Sequence, residues 1–140
     1  MMADVSTYED VALPADRIWS VIGDFGGIRK WAVLVQSESV EDTAAGKVRT
    51  LGMPENRVVK ELLAHQSQYS YTYTMLDRPE MADYRSTVAV VPLDANTSRI
   101  TLIVHLSPSA GQTDDDLTAR YTRSLRGNLR AMKKALGLAM

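Results

Sequence analysis

The spacing of apolar side chains divides the chain into a central region with strand periodicity and two helical regions on either side of it. Apolar and polar residues alternate with a period of two from Val33 to Leu106, most regularly between Tyr69 and Met75. Residues Ala3–Val11 alternate more loosely and predict a first strand. The pattern predicts six further strands, at residues 33–41, 47–51, 57–64, 68–76, 84–93 and 99–107.

Helical spacing occurs twice near the N-terminus and once at the C-terminus. Residues Ala15–Ile22 predict a first helix, and residues 28–32 a second short helical turn. Residues 113–136 predict one long helix that begins with Thr113 as its N-cap. Uncharged side chains recur along this helix at Leu117, Tyr121, Leu125, Asn128, Met132 and Leu136.

The predicted order is a strand, two short helices, six strands and a long helix, which is typical of an α+β fold. The short connections between consecutive strands indicate an antiparallel sheet. A twisted sheet of this kind buries its apolar face by curving around the long helix. The sheet then leaves a gap near one end of the helix, where large side chains either fill the space or line a cavity.

Composition narrows the possible functions. A chain of 140 residues corresponds to one domain, so we expect residues 1–140 to form a single domain. The net charge of -1 gives no general attraction to nucleic acid, and no apolar run is long enough to insert into a membrane. Cysteine is absent, which excludes disulfides. We expect a cytoplasmic protein, either a monomer or a homodimer.

Several segments resemble the START-like (SRPBCC) superfamily: LPADRIWSVIGDFGGIRKW, GKVRTLGMP, VVKELL, YSYTYTML, DYRSTVAV and the closing helix. This superfamily includes bacterial polyketide cyclase/dehydrase-type proteins, the birch-pollen allergen family and the plant abscisic-acid receptors. The resemblance implies the helix-grip fold, in which a seven-stranded curved antiparallel sheet wraps around the C-terminal helix and encloses a mostly apolar pocket. It implies no single function, because the scaffold serves carriers, receptors and a few enzymes.

The same resemblance assigns individual positions. Gly52, Met53 and Pro54 lie where the receptors have their gate loop, and residues 77–82 where they have a latch, although the receptors' His-Arg-Leu latch is missing. Gln36 lies near the receptors' ligand-binding lysine, so abscisic acid itself is not expected to bind. The resemblance places six further side chains toward the pocket: Arg49, Glu61, Tyr73, Tyr84, Ser86 and Asn128.

Tyrosines and one pair of opposite charges are the main candidates for chemistry. Tyr71 and Tyr73 share a strand face, and either fill the core or line a cavity with convergent hydroxyl groups. Arg49 and Glu61 lie on adjacent strands and face inward, where an unpaired charge is too costly. They form either a structural salt bridge or a ligand contact, and a carboxylate with a raised pKa there is also a candidate acid or base.

The sequence gives less support for a metal site, a nucleophile or a phosphate-binding surface. His65 and His105 are the only histidines, and both are expected to face solvent. The sequence has neither the spacing of a metal site nor a nucleophile motif, so no metal or cofactor is expected. The C-terminal helix has a basic face that either binds phosphate or another partner or is simply solvated: Arg120, Arg123, Arg126, Arg130 and Lys134.

Two functional hypotheses follow. The first is a carrier or sensor that binds a small hydrophobic, cyclic ligand in an internal cavity. The second is an enzyme of the cyclase/dehydratase type, without a metal, that uses Glu61 or Arg49 and a pocket tyrosine for acid–base chemistry. The ligand-binding residues predicted for both are Trp31, Gln36, Arg49, Glu61, Tyr71, Tyr73, Tyr84, Ser86, Tyr121, Asn128 and Met132, with Gly52, Met53 and Pro54 as the gate.

Overall fold

A computed structural model describes residues 3–108 and 111–138. Its strands are β1 (Ala3–Val11), β2 (Ser37–Thr43), β3 (Gly46–Met53), β4 (Arg57–Ser67), β5 (Ser70–Met75), β6 (Arg85–Pro92) and β7 (Ser98–Leu106). Its α-helices are α1 (Ala15–Ile22) and α2 (Asp114–Ala135). Short 3-10 helices span Phe25–Lys30, Pro54–Asn56 and Pro79–Met81.

The seven strands form one antiparallel sheet in the order β1-β7-β6-β5-β4-β3-β2. β1 lies beside β7, so the first strand completes the far edge of a meander that the other six strands build by short connections. Helix α2 packs against β1 and β7 and buries Leu117, Leu125, Leu129 and Met132. The helix-grip architecture predicted from the sequence is confirmed.

Helix α2 begins with a reciprocal cap. The Thr113 hydroxyl accepts a hydrogen bond from the backbone N–H of Asp116 at 3.0 Å, and the Asp116 carboxylate accepts one from the backbone N–H of Thr113 at 3.3 Å. The pair satisfies two donors that a helix otherwise leaves unpaired at its first turn. The predicted N-cap is therefore confirmed.

Removing this cap gives a testable loss of stability. Thr113→Ala is expected to lower the free energy of unfolding by about 1 kcal/mol, because the first turn loses its side-chain acceptor. Urea denaturation measures the change. Thr118→Ala, at an exposed position inside the same helix, is the matched control and should not destabilise the protein. Equal losses in the two variants would contradict the role of the cap.

The segment before β2 differs from the prediction. Residues 33–36 precede the strand, because the Val35 N–H bonds to the Ala32 carbonyl at 3.1 Å and closes a turn. β2 therefore starts at Ser37 rather than at Val33. The predicted helical turn at 28–32 is likewise shifted to Phe25–Lys30, where the Asp24 carboxylate accepts a hydrogen bond from the Gly26 N–H at 3.1 Å.

The loop between β3 and β4 is also shorter than predicted. Gly52 and Met53 belong to β3, where Gly52 pairs with Ser37 and Met53 pairs with Arg57. The connection to β4 is only Pro54–Asn56, in which Glu55 and Asn56 have positive φ angles of 65° and 58°. Consecutive left-handed residues suit a tight hairpin turn, since they match the twist of the two strands. Gly52 and Met53 are therefore strand residues rather than loop residues, and a gate at Gly52, Met53 and Pro54 stays a prediction.

Candidate functional site

A cavity of about 550 Å³ lies between the inner face of the sheet and α2. Its size falls within the range of pockets that hold small organic ligands. Most of its wall is apolar or aromatic, and β3, β4, β5, β6, β7 and α2 all contribute side chains. The polar groups on the wall include Arg49, Glu61, Ser86 and Asn128. This combination of an apolar surface with a few polar groups is typical of a site for a hydrophobic ligand.

Arg49 and Glu61 form a buried ion pair in this wall. They lie directly opposite each other on β3 and β4, and Arg49 Nε donates to Glu61 Oε1 at 2.6 Å. Their side chains are only 1% and 8% exposed. Arg49 Nη1 also donates to the Phe25 carbonyl at 2.9 Å, and the guanidinium lies 4.3 Å from the centre of the Phe25 ring. The predicted inward pairing is confirmed.

Burial shapes the protonation of this pair. Loss of hydration raises the pKa of the Glu61 carboxyl above its ordinary value, although the Arg49 charge opposes the shift. Burial lowers the pKa of Arg49, but the Glu61 charge and the hydroxyls of Tyr71 and Tyr73 outweigh it and raise the pKa above the ordinary value. Arg49 therefore stays charged, and Glu61 holds a proton more readily than an exposed carboxylate does.

Four tyrosine rings continue from this pair along the wall to α2. The ring centres of Tyr71 and Tyr73 are 6.3 Å apart, those of Tyr73 and Tyr84 6.3 Å, and those of Tyr84 and Tyr121 6.0 Å. The hydroxyls of Tyr73 and Tyr84 interact with each other and with Ser86. All four rings line the cavity, so the tyrosines form its wall as well as part of the core.

The mouth of the cavity carries exposed apolar side chains and arginines, unlike the buried wall. Val33 and Leu34 are 80% and 64% exposed and lie on its rim. Met81 and the exposed residues Arg78 and Arg123 also line it. The rim is therefore apolar with positive charges at its edge.

Comparison with known proteins identifies the family. A family model described as polyketide cyclase / dehydrase and lipid transport matches residues 2–137. The chain belongs to this family. The superfamily resemblance drawn from the sequence is thereby confirmed. A search of curated proteins gave no match.

Solved structures show the same fold as this polyketide cyclase/dehydrase family member. XoxI from Bacillus cereus is 23% identical, with a TM-score of 0.82 over 96% of this chain and 95% of its own. A START superfamily protein from Mycobacterium smegmatis is 13% identical, with a TM-score of 0.78 over 96% and 97%. The Zhui aromatase/cyclase from a Streptomyces species is 19% identical, with a TM-score of 0.71 over 97% and 92%.

Most of the predicted ligand-binding residues of this family member meet at the cavity. The structure places ten of them in the wall: Trp31, Arg49, Glu61, Tyr71, Tyr73, Tyr84, Ser86, Tyr121, Asn128 and Met132. Gln36 is exposed and does not line the cavity, because its backbone N–H bonds to the Gly52 carbonyl at 2.7 Å on the sheet edge. Of the predicted gate residues, Met53 lines the cavity, whereas Gly52 and Pro54 do not.

Some residues that line the cavity are not among those predicted from the sequence, including Met75, Arg78 and Met81. Met75 lies on the face that strand alternation assigned to Tyr71 and Tyr73, so the pattern contained its signal. Arg78 and Met81 come from the connection between β5 and β6, where no periodicity predicts the direction of a side chain. Tyr69 lies before β5 and donates its hydroxyl to Asp16 at the start of α1 instead of entering the cavity.

Other candidate groups lie outside the cavity. His65 is exposed on β4, and His105 contacts Asp4 of the neighbouring strand β1. Across residues 3–108 and 111–138, no group of three or more His, Cys, Asp or Glu side chains could hold a metal ion. No helix in these ranges is long and apolar enough to cross a membrane. The residues of the basic face of α2 are exposed, and of these Arg123 lines the cavity: Arg120, Arg123, Arg126, Arg130 and Lys134.

The buried tyrosines predict a loss of stability at high pH. Burial raises the pKa of Tyr84 from 10.0 to about 12, so the folded protein keeps a proton that the unfolded chain releases. Stability from this group is complete below pH 10 and is lost between pH 10 and 12, at about 1.4 kcal/mol per pH unit. Between pH 10 and 12, the urea midpoint of Tyr84→Phe should fall less steeply with pH than that of the wild-type protein. If the two midpoints fall in parallel, Tyr84 does not contribute the pH dependence.

Proposed function

We propose that this protein binds a small hydrophobic, cyclic ligand inside the cavity and acts as a carrier or sensor. The observation that carries the proposal is the cavity of about 550 Å³, open at its mouth and lined by four tyrosine rings and apolar side chains. Membership of a family described by cyclase, dehydrase and lipid transport activities supports it. A cavity of this size is large enough for a ligand of two or three fused rings.

A binding titration tests this function. The aromatic ketone acetylnaphthalene serves as the probe, because its fused rings match an aromatic wall and its oxygen offers one hydrogen-bond acceptor. We expect saturable binding of one molecule per chain, measured by calorimetry or by quenching of tryptophan fluorescence. The absence of saturable binding would contradict the proposed function.

One observation also favours an enzyme of the cyclase/dehydratase type. Glu61 lies in the cavity wall and its pKa is raised by burial, which suits a group that exchanges protons with a bound substrate. In this alternative the Glu61 carboxylate removes a proton from the carbon next to a carbonyl group, and a tyrosine hydroxyl donates a proton to the carbonyl oxygen to give the enol. Arg49 keeps the carboxylate in place at 2.6 Å.

Isotope exchange distinguishes the enzyme from the carrier. The bicyclic ketone tetralone exchanges its acidic C–H protons in deuterated buffer, and NMR follows the loss of their signal. An enzyme should accelerate this exchange, and Glu61→Gln should abolish the acceleration while Val91→Ala, on the exposed outer face, retains it. If the exchange is no faster than in buffer alone, the enzyme hypothesis is contradicted and the carrier hypothesis stands.

A further inference from the structure

The residues that line the cavity carry an excess of positive charge at its mouth. The lining includes three arginines, Arg49, Arg78 and Arg123, and Glu61 is the one acidic residue among the described residues that line it. Arg49 and Glu61 neutralise each other inside the wall. Arg78 and Arg123 are exposed and belong to the mouth. The lining is therefore electrically balanced inside and positive at its opening.

Arg123 is the arginine of the mouth whose charge is not matched by a carboxylate. Arg78 Nε lies 3.4 Å from Glu80 Oε1, in an ion pair whose side chains are half exposed. No ion pair between Arg123 and another residue is present in the part of the chain that the structure describes. Arginine side chains stay protonated in proteins and bind carboxylates and phosphates through their N–H groups. The opening of the cavity is therefore suited to an anionic group.

Uncharged polar residues lie beside Arg123 on α2. Ser124 follows it in the sequence, Asn128 lies one turn beyond Ser124, and both line the cavity. Gly127 lies one turn after Arg123 and also lines the cavity, so no side chain fills the space next to the arginine there. A guanidinium, a hydroxyl and an amide can all donate hydrogen bonds to an anion. This part of α2 therefore adds neutral donors to the charge of Arg123.

We propose that the ligand of this cavity is an amphiphile whose uncharged ring system lies inside and whose anionic group stays at the mouth beside Arg123. This inference rests on the proposed function and names the class of ligand. Inside the cavity an anion would lack a partner, because the charge of Arg49 is already matched by Glu61. At the mouth the anion keeps part of its hydration and gains the charge of Arg123.

A matched pair of probes tests this selection, with a carboxylate as the anionic group. Naphthylbutyrate and naphthylbutyramide share one ring system and one chain, and an uncharged carboxamide of similar size replaces the carboxylate in the second. At low ionic strength the carboxylate should bind about fivefold more tightly, which is the upper end of the effect of an exposed ion pair. The preference should decrease at about 0.5 M salt, because salt screens exposed charges. Calorimetric titration measures both affinities.

Substitution of Arg123 tests whether this residue is the source of the preference. Arg123→Gln removes the charge and should abolish the preference for naphthylbutyrate. Arg126→Gln is the matched control, because Arg126 is exposed on the same helix and does not line the cavity. It changes the net charge by the same amount and should leave the preference intact. Equal losses in the two variants would show that net charge, rather than a contact with Arg123, causes the preference, and would overturn the inference.

The outcomes separate the inference from the function on which it rests. Tighter binding of the carboxylate that depends on Arg123 and not on Arg126 supports the inference. Equal affinities of the two probes would overturn it and leave the cavity as a site for neutral ligands. If the probes bind equally and Arg123→Gln instead weakens binding to phosphatidylglycerol vesicles, Arg123 serves a membrane surface and the inference also fails. If neither these probes nor acetylnaphthalene binds, the inference and the proposed function fail together.

Discussion

Glu61→Ala is expected to lower the free energy of unfolding by about 3–5 kcal/mol, the largest effect on stability that the site predicts. The substitution leaves the Arg49 guanidinium, which is 1% exposed, without its carboxylate partner. A buried charge without a partner costs far more than a missing surface ion pair. Urea denaturation at neutral pH measures the loss. A change below about 1 kcal/mol would show that the pair is not buried as described.

A double substitution separates the cost of the stranded charge from the value of the pair. In Arg49→Met with Glu61→Met, both charges are replaced by flexible apolar side chains. This variant should be more stable than Glu61→Ala, because hydrophobic groups of similar volume often replace a buried ion pair at little cost. If the double variant is as unstable as the single one, the instability comes from lost packing rather than from an unpaired charge.

Ala131→Phe is expected to weaken binding of acetylnaphthalene by at least about tenfold, the largest effect on ligand binding that the cavity predicts. Ala131 lies on α2 and lines the cavity, so a phenyl ring at this position occupies space that the probe needs. The variant should remain folded, because the ring enters an existing cavity rather than a packed core. Calorimetric titration measures the affinity, and thermal melting confirms the fold.

Ala119→Phe provides the matched control for this substitution. Ala119 is exposed on the same helix and does not line the cavity. The same change there should leave the affinity for acetylnaphthalene unchanged. Equal affinities in Ala131→Phe and the wild-type protein would place the probe outside the cavity.

The architecture and much of the site follow from the sequence for local reasons. Periodicity predicts α1 and α2 because each buries one face, and the Thr113 cap marks where α2 begins. Strand alternation puts Arg49 and Glu61 on one face of adjacent strands, and an inward charge needs a partner. Their pairing could therefore be predicted before any coordinates.

The rim of the cavity could not be predicted in the same way. Val33, Leu34 and Val35 form an apolar run that resembles the start of a strand, but the turn closed by Val35 places Val33 and Leu34 at the mouth. The resemblance places Gln36 near the pocket, whereas the hydrogen bond from its backbone N–H to the Gly52 carbonyl holds it on the sheet edge.

The position of a bound probe tests the central claim most directly. Met132 is fully buried in the cavity wall, whereas Val91 is 47% exposed on the outside of the protein. In a complex with acetylnaphthalene, the account predicts nuclear Overhauser effects between the ring protons and the Met132 methyl group. Effects confined to surface methyl groups such as those of Val91, with none at Met132, would contradict it.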